Sequence, residues 1–341
     1  MTRERWRQRT MDSSDLQPRF EDQIEHYRGE LRAHCYQMLG SLQDAEDALQ
    51  ESLLAAWNGF DRFEGRSSLR TWLYRVTTNA CIRYAESRPP RVLSMDHGPA
   101  FADVWEVGEW SPELPWLEPC PGSLVDAATP SVDPAHRYEL RESLELAFIS
   151  VIQQLPPTQR SVLILRDVLA FPAADVATML GTTVASVNSA LQRARASMEN
   201  RRPSRSQAQT FADLGEGQVR ELVDSLVAAW DAADVPAILD LLTADVHFGM
   251  PPFPAWLDGR DAVARFLAER VFATPWRLVS STANGQIAFA AYQQNDPDGP
   301  FELSAINVMT VNGDRFSGIM GFLDRDVFAA FDFPATYTGP A

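Results

Sequence analysis

Residues 93–134 constrain the architecture more than any other stretch. LSMDHGPAFADVWEVGEWSPELPWLEPCPGSLVDAATPSVDP contains repeated proline, eight acids, no arginine and no lasting hydrophobic period. A run of this length without a period of its own does not fit inside a compact domain, so 91–134 reads as an interdomain linker. A chain of 341 residues also exceeds what one ordinary core supports, and separate folded units are expected on the two sides. Trp105, Trp110 and Trp116 are more than a spacer needs; they predict an ordered contact for the linker.

After a tail over 1–19, helical patterning fills 20–90. Leu31, Cys35, Met38, Leu39 and Leu42 recur at helical spacing, and Ala45, Leu49, Leu53, Ala56, Trp57 and Phe60 continue it. Ser41 can cap the second of these helices, with Asp44, Glu46 and Asp47 in its first turns. A third helix is predicted from Ser67 or Ser68 to Glu86, stopped by SRPPR. Beyond the linker, 135–202 reads as helical again: one helix over 136–155 with Leu140, Leu144, Phe148, Val151 and Leu155 as its stripe, another from LPPTQ to about Leu169, a third over 173–180, and a fourth in GTTVASVNSALQRAR. Residues 203–216 read as a polar tether. From 217 to 341 the texture becomes α+β, with turn signals at Asn284-Gly285, Asp298-Gly299 and Asn312-Gly313.

Charge follows these divisions. The chain carries a net charge of -16, and all 30 of its basic residues are arginine. Residues 1–92 are neutral, 93–134 carry -8, 135–205 carry +3 and 206–341 carry -11. The acid therefore lies in the linker and the C-terminal unit, and the segment around GTTVASVNSALQRAR is basic. No apolar run nears the ~20 residues of a membrane span, and MTRERWRQRT lacks an apolar signal-peptide core, so a cytoplasmic location without membrane contact is expected. Cys35, Cys81 and Cys120 are odd in number and far apart, which suits reduced thiols. Without a CxxC pair or a spaced His/Cys cluster, neither a metal nor another cofactor is expected.

A helix-turn-helix needs a small residue in its first helix, a glycine in the turn and an apolar anchor in its second helix. Ala177, Gly181 and Val187 have that spacing. The outward side chains Ser186, Ser189, Gln192 and Arg193 can then face a major groove, with Arg195 and Arg201 nearer phosphates. In the first unit, DRFEGRSSLRTWLYRVTTNACIRYAE interleaves Arg62, Arg66, Arg70, Arg75 and Arg83 with Phe60, Phe63, Trp72, Tyr74 and Tyr84. Arginines that track phosphate beside rings that accept unstacked bases suit opened, single-stranded DNA. Trp72 and Phe60 also lie on the apolar stripe and are read first as core.

These segments carry a resemblance. GSLQDAEDALQESLLAAWNGFDRFEGRSSLRTWLYRVTTNACIRY resembles region 2 of the extracytoplasmic-function group of bacterial sigma factors. LAFISVIQQLPPTQRSVLILRDVLAFPAADVATMLGTTVASVNSALQRARASM resembles their region 4. The resemblance implies that Asp44, Glu46, Asp47, Gln50 and Glu51 grip core RNA polymerase. It implies that Arg62, Phe63, Arg66, Ser67, Arg70, Arg75, Asn79 and Arg83 serve the opened minus-10 element, and that Thr183, Ser186, Ser189, Gln192, Arg193 and Arg195 serve the minus-35 duplex. The linker of this group threads into the polymerase cleft; here its acid suits a basic channel, and its tryptophans suit either that channel or the protein's own C-terminal unit. An anti-sigma partner is not identifiable from the sequence.

The C-terminal unit resembles the SnoaL-like cone, a curved sheet wrapped by helices around a pocket. The expected fold class is therefore multidomain: two all-α helical domains plus a C-terminal α+β SnoaL-like domain. His247, Met250, Phe253 and Trp256 are candidate pocket residues. Because this fold hosts enzymes as well as binding modules, two readings stand. In the first, a non-catalytic promoter-specificity subunit is regulated in cis by its acidic domain, tethered at high effective concentration. In the second, a DNA-binding protein carries an active small-molecule enzyme or sensor, with Asp245 and His247 as the candidates for proton abstraction. A carboxylate or histidine beside an apolar cavity would separate them.

Overall fold

Serine caps and short glycine turns set the first three helices. In the structure, a computed structural model, α1 spans 24–39, α2 spans Leu42–Phe60 and α3 spans Leu69–Glu86. The structure describes residues 24–337 and 339 apart from 62, 66, 102, 104, 106–107, 128–133 and 200–204, and only the backbone of 134–137. The Ser41 side chain accepts from Asp44 N at 3.2 Å and the Ser68 side chain from Thr71 N at 3.0 Å, each satisfying an otherwise orphaned helix donor. Tyr36, Met38, Leu49, Leu73 and Tyr74 close the core between them.

The linker contributes α4 (Ser94–His97) and α5 (Gly122–Ala127). The second helical domain follows as α6 (Pro134–Glu142), α7 (Leu146–Gln153), α8 (Pro157–Leu163) running into a π-helical turn at Ile164–Val168, α9 (Ala173–Met179) and α10 (Val184–Met198). The single helix expected over 136–155 is thus two. At the break, Leu144 N and Glu145 N bond three residues back, and the Leu144 carbonyl is taken by Asn284 of the C-terminal domain. The apolar stripe was real, but tertiary bonding interrupts its backbone.

α11 spans Gln207–Asp231, with a break at Gly215, and α12 spans Val235–Asp240. Most of the expected tether is therefore helical. Ser206 and Gln209 form a capping box, and the Gln207 amide both donates to Val311 O at 3.0 Å and accepts from Val311 N at 2.7 Å.

Six strands complete the fold: β1 (Leu242–Gly249), β2 (Trp256–Asp258), β3 (Trp276–Ala283), β4 (Gln286–Gln293), β5 (Glu302–Asn312) and β6 (Arg315–Phe322). Helices α13 (Arg260–Glu269) and α14 (Arg325–Phe328) accompany them. The sheet order is β2-β1-β6-β5-β4-β3, with β1 and β6 parallel and the other pairs antiparallel. Strand alternation gives the sheet two apolar faces. Phe289, Ala291, Ala305 and Met309 face a core closed by α11 and α13, whereas Ala288, Ala290, Ile306, Val308 and Met320 join one continuous core with the helical domains.

Candidate nucleic-acid interface and its restraint

The surface of α10 follows from its burial pattern. Val187, Ala190, Leu191, Ala194 and Met198 are buried, which leaves Ser186, Ser189, Gln192 and Arg193 exposed along one face. Gly181 makes the turn at φ +62°, with nothing near its Cα to exclude a side chain, so conformation and not space selects glycine there. Thr183 caps the helix, accepting from Ser186 N at 3.1 Å. Arg193 donates to the Ser189 hydroxyl at 2.7 Å. Arg195 instead makes a two-pronged pair with Asp167 at 2.9 and 2.7 Å, a bond that strengthens its hold on its proton.

On α3 the expected DNA-reading residues are partly engaged inside the chain. Arg75 and Arg83 are exposed and, with Trp72 and Asn79, line a cleft of about 350 Å³ between α2 and α3. Arg83 pairs with Glu51 at 2.6 Å. Asn79 donates to Arg75 O at 2.7 Å and to Met179 O of α9 at 3.2 Å. Arg70 pairs with Glu30 at 3.2 Å and lies over the rings of Tyr74 and Phe171. Phe63 meets the Trp72 ring at 5.2 Å, and Ser67 is exposed. Arg62, Arg66 and Arg201 lie outside the described residues.

α2 presents a narrower acidic stripe than its sequence suggested. Asp44 is buried and paired with Arg91 and, at 3.5 Å, with Arg88. Glu46 pairs with Arg32 at 3.1 Å. Asp47, Gln50 and Glu51 are exposed, together with Leu54 at 65% and Trp57 at 37%. Spacing of three and four residues puts this set on one side of the helix. Leu54 and Trp57, placed in the sequence among apolar runs, thus form an exposed apolar continuation of the stripe.

Three buried polar groups join the domains. Arg160 of α8 donates to the Met38 carbonyl of α1, to the Gln153 side chain and backbone at 2.7 Å each, and to Leu155 O at 3.2 Å; burial lowers its pKa to about 10. Asn284, in the β3–β4 turn, is fully buried with φ +54°. Its amide donates to Tyr36 Oη at 2.9 Å and to Leu144 O at 2.8 Å and accepts from Cys120 N at 2.9 Å, while its backbone N–H donates to Cys120 O at 2.8 Å. Gln286 accepts from Leu146 N at 2.9 Å. One hairpin thus touches the first helical domain, the linker and the second helical domain together.

The linker tryptophans find their partners within the chain. Trp105 lies on the Arg270 guanidinium and donates to Glu269 at 3.2 Å, and Trp110 meets Phe253 edge-on. Ser94 donates to Phe253 O, and Ser111 N to Pro252 O. Trp116 is buried and donates to Ser111 O at 2.7 Å.

The cone encloses a cavity of about 250 Å³ whose walls include Trp230, Phe248, Met250, Phe253 and Asn307. Met250 and Phe253 line this wall, whereas His247 and Trp256 do not. His247 alternates with Phe248 and points from the opposite face of the sheet, into a cleft of about 560 Å³ against the linker and α7. Trp256 donates to Gly98 O at 2.7 Å and holds the linker. Burial lowers the His247 pKa, and the Thr243 hydroxyl holds exposed Asp245 below the ordinary carboxylate range. Among the described lining residues of the 250 Å³ cavity, none is Asp, Glu or His. No helix of the described residues is long and apolar enough to cross a membrane, and no group of three or more His, Cys, Asp or Glu suited to a metal occurs among them.

Comparison with known proteins decides the family. Residues 23–88 match the model of Sigma-70 region 2, 145–198 that of Sigma-70, region 4, and 223–319 that of the SnoaL-like domain. The chain is 41% identical over 319 residues to the ECF RNA polymerase sigma factor SigG of Mycobacterium tuberculosis, covering 92% of this chain and 84% of that one. The chain belongs to the ECF RNA polymerase sigma factors.

This sigma factor is also similar to SigJ of the same organism, at 27% identity over 72% of this chain and 71% of that one. The crystal structure of the M. tuberculosis sigma factor SigJ shares its fold, with a TM-score of 0.60 at 23% identity, covering 92% of this chain and 99% of the other. The architecture is as expected: two helical sigma domains followed by an α+β SnoaL-like domain. The residue that sequence reasoning missed in this sigma factor is Asn284. Asn-Gly flagged the turn correctly, but nothing local distinguishes a turn in solvent from one inserted between domains.

Proposed function

We propose that this sigma factor directs RNA polymerase to promoters through α3 and α10, and that its SnoaL-like domain restrains it in cis by holding the two DNA-reading domains together. The polymerase is gripped by Asp47, Gln50, Glu51, Leu54 and Trp57, whose side chains are exposed. The minus-10 and minus-35 elements, set ~25 base pairs apart by their names, lie roughly 85 Å apart along straight duplex at ~3.4 Å per pair. Regions 2 and 4 here touch, with Asn79 of the minus-10 face bonded to Met179 of α9 at 3.2 Å. That contact carries the reading: the two elements are engaged together only after the domains separate, and Asn284 opposes the separation.

The -11 charge of 206–341 acts in the same sense, since an acidic domain attached to a basic one competes with DNA for it. No catalytic step is assigned to the SnoaL-like domain in this reading, and the sigma factor works with polymerase in the cytoplasm. The test is run-off transcription with purified core polymerase on a cognate promoter, comparing the parent with Asn284→Gly. Higher open-complex formation by the variant is expected. Equal activity of the two sinks the restraint, and failure of the parent to support transcription from any promoter sinks the promoter role.

A further inference from the structure

We propose that the cavity of the SnoaL-like domain binds an uncharged, largely apolar small molecule carrying a hydrogen-bonding group of the amide type, and that the linker senses its occupancy. The anchor is Asn307. It is 6% exposed, lines the cavity, and among the described residues its side-chain amide has no hydrogen-bond partner. Its amide opens on the cavity and offers a donor and an acceptor side by side, and in the same wall the buried Trp230 indole N–H has no hydrogen-bond partner among the described residues, which is rare in native proteins. The neighbouring strand makes room for it: a Cβ at Gly321 would lie 2.9 Å from Asn307 Oδ1, closer than packing allows. The remaining wall is mainly aromatic and aliphatic, with Trp230, Phe248, Met250 and Phe266. A mainly apolar cavity with a few polar groups, here Asn307, the Trp230 indole N–H, Gln293 and Ser304 beside Arg270, is the pattern of a small-molecule site.

The charge of the ligand follows from the one charged group of the wall. Arg270 is stacked on the Trp105 ring, whose indole donates to adjacent Glu269, so its guanidinium is engaged by the linker, and the rest of the wall is uncharged. Two wall residues also hold the linker. Phe253 lines the cavity, accepts from Ser94 at 2.9 Å through its carbonyl and meets Trp110 at 5.5 Å, and Arg270 holds Trp105. A molecule that fills the cavity displaces or braces these two walls, and the linker between regions 2 and 4 moves with them.

The probe is 2-naphthamide, two fused rings with a carboxamide that can pair with Asn307, and its anionic counterpart 2-naphthoate. Calorimetry on the full chain should give a Kd below about 1 mM for the amide, weakened at least tenfold by Asn307→Leu, which keeps the side-chain volume, and abolished by Ala305→Phe, which fills the cavity. Amide hydrogen exchange over 108–116 should change on adding 2-naphthamide to the parent and not to Asn307→Leu. Absence of binding by the parent, or unchanged affinity in Asn307→Leu, overturns the site, the latter by placing the probe elsewhere, as in the cleft beside His247. Tighter binding of 2-naphthoate overturns the ligand class, and binding without altered exchange in the linker overturns the coupling. If Ala305→Phe does not fold, Asn307→Leu carries the decision alone.

Discussion

Asn284 donates to the Tyr36 hydroxyl over 2.9 Å, tying a hairpin of the C-terminal domain to the first helix across 248 residues of chain. Its second amide proton goes to Leu144 O and its oxygen accepts from Cys120 N, so the side chain is saturated by three separate segments. Asn284→Gly keeps the left-handed backbone conformation and deletes all three bonds. The loss should cost about 1–3 kcal/mol for each buried partner left unpaired. Hydrogen exchange should rise in α1 and α7 while the strands of the sheet stay protected. Unchanged protection in α7 would show that the hairpin does not hold region 4.

His34 makes the stability of region 2 depend on pH. It is fully buried, bonded through Nε2 to Thr78 Oγ1 at 2.9 Å, and burial lowers its pKa from 6.5 to about 3, with Arg70 adding repulsion. Between those values the unfolded chain binds a proton that the native chain refuses, so stability falls as the pH drops through the window. The loss approaches about 1.4 kcal/mol per pH unit. His34→Gln preserves a polar partner for Thr78 and removes the titration. Relative to the parent, its unfolding free energy in urea should therefore improve by roughly 2 kcal/mol between pH 6.5 and pH 5. Parallel pH profiles for the two proteins would contradict the assignment.

Local chemistry explains which parts were legible in the sequence. Ala177, Gly181 and Val187 announce the helix-turn-helix because the turn is made by the residues themselves, and Ser41 and Ser68 announce α2 and α3 because a cap acts within one turn. The helix over 136–155 fails at Leu144 because its carbonyl is claimed by a residue 140 positions away. Asp44 reads in sequence as a partner-facing acid, but Arg88 and Arg91, from beyond the next helix, pair with it in the fold. Proximity in sequence groups His247 with Met250, but a strand alternates, and odd-numbered His247 lies behind the wall that even-numbered Phe248 and Met250 build. Each miss concerns what packs against an element, and each success concerns what the element makes alone.

In the proposed reading, Asp167 competes with DNA for Arg195. Their two hydrogen bonds lie at the exposed end of α10, where a phosphate would take the same guanidinium geometry. Asp167→Asn should raise affinity for minus-35 duplex several-fold and steepen its salt dependence by about one phosphate contact, as read by fluorescence anisotropy over a salt series. Arg193→Ala should weaken the same complex by ~1–3 kcal/mol if Arg193 reads a base. A salt slope indifferent to Asp167 would place Arg195 outside the DNA contact.

Arg83 gives the sharpest separation of promoter contact from intramolecular restraint. It bonds Glu51 at 2.6 Å and Asn79 O at 3.1 Å, and Asn79 in turn bonds Met179 of region 4 at 3.2 Å. If the proposed restraint holds, single-stranded minus-10 DNA meets an occupied face in the parent chain, and Arg83→Ala should barely alter binding. In the Asn284→Gly background the face is released, and the same substitution should cost ~1–3 kcal/mol. Residues 83 and 284 share no direct hydrogen bond, so additivity is the default for the pair, and a coupling above about 1 kcal/mol between them has to travel through domain separation. Equal losses in both backgrounds would mean that the minus-10 face is open throughout and that Asn284 fixes the fold without gating it; no loss in either would remove Arg83 from the DNA surface.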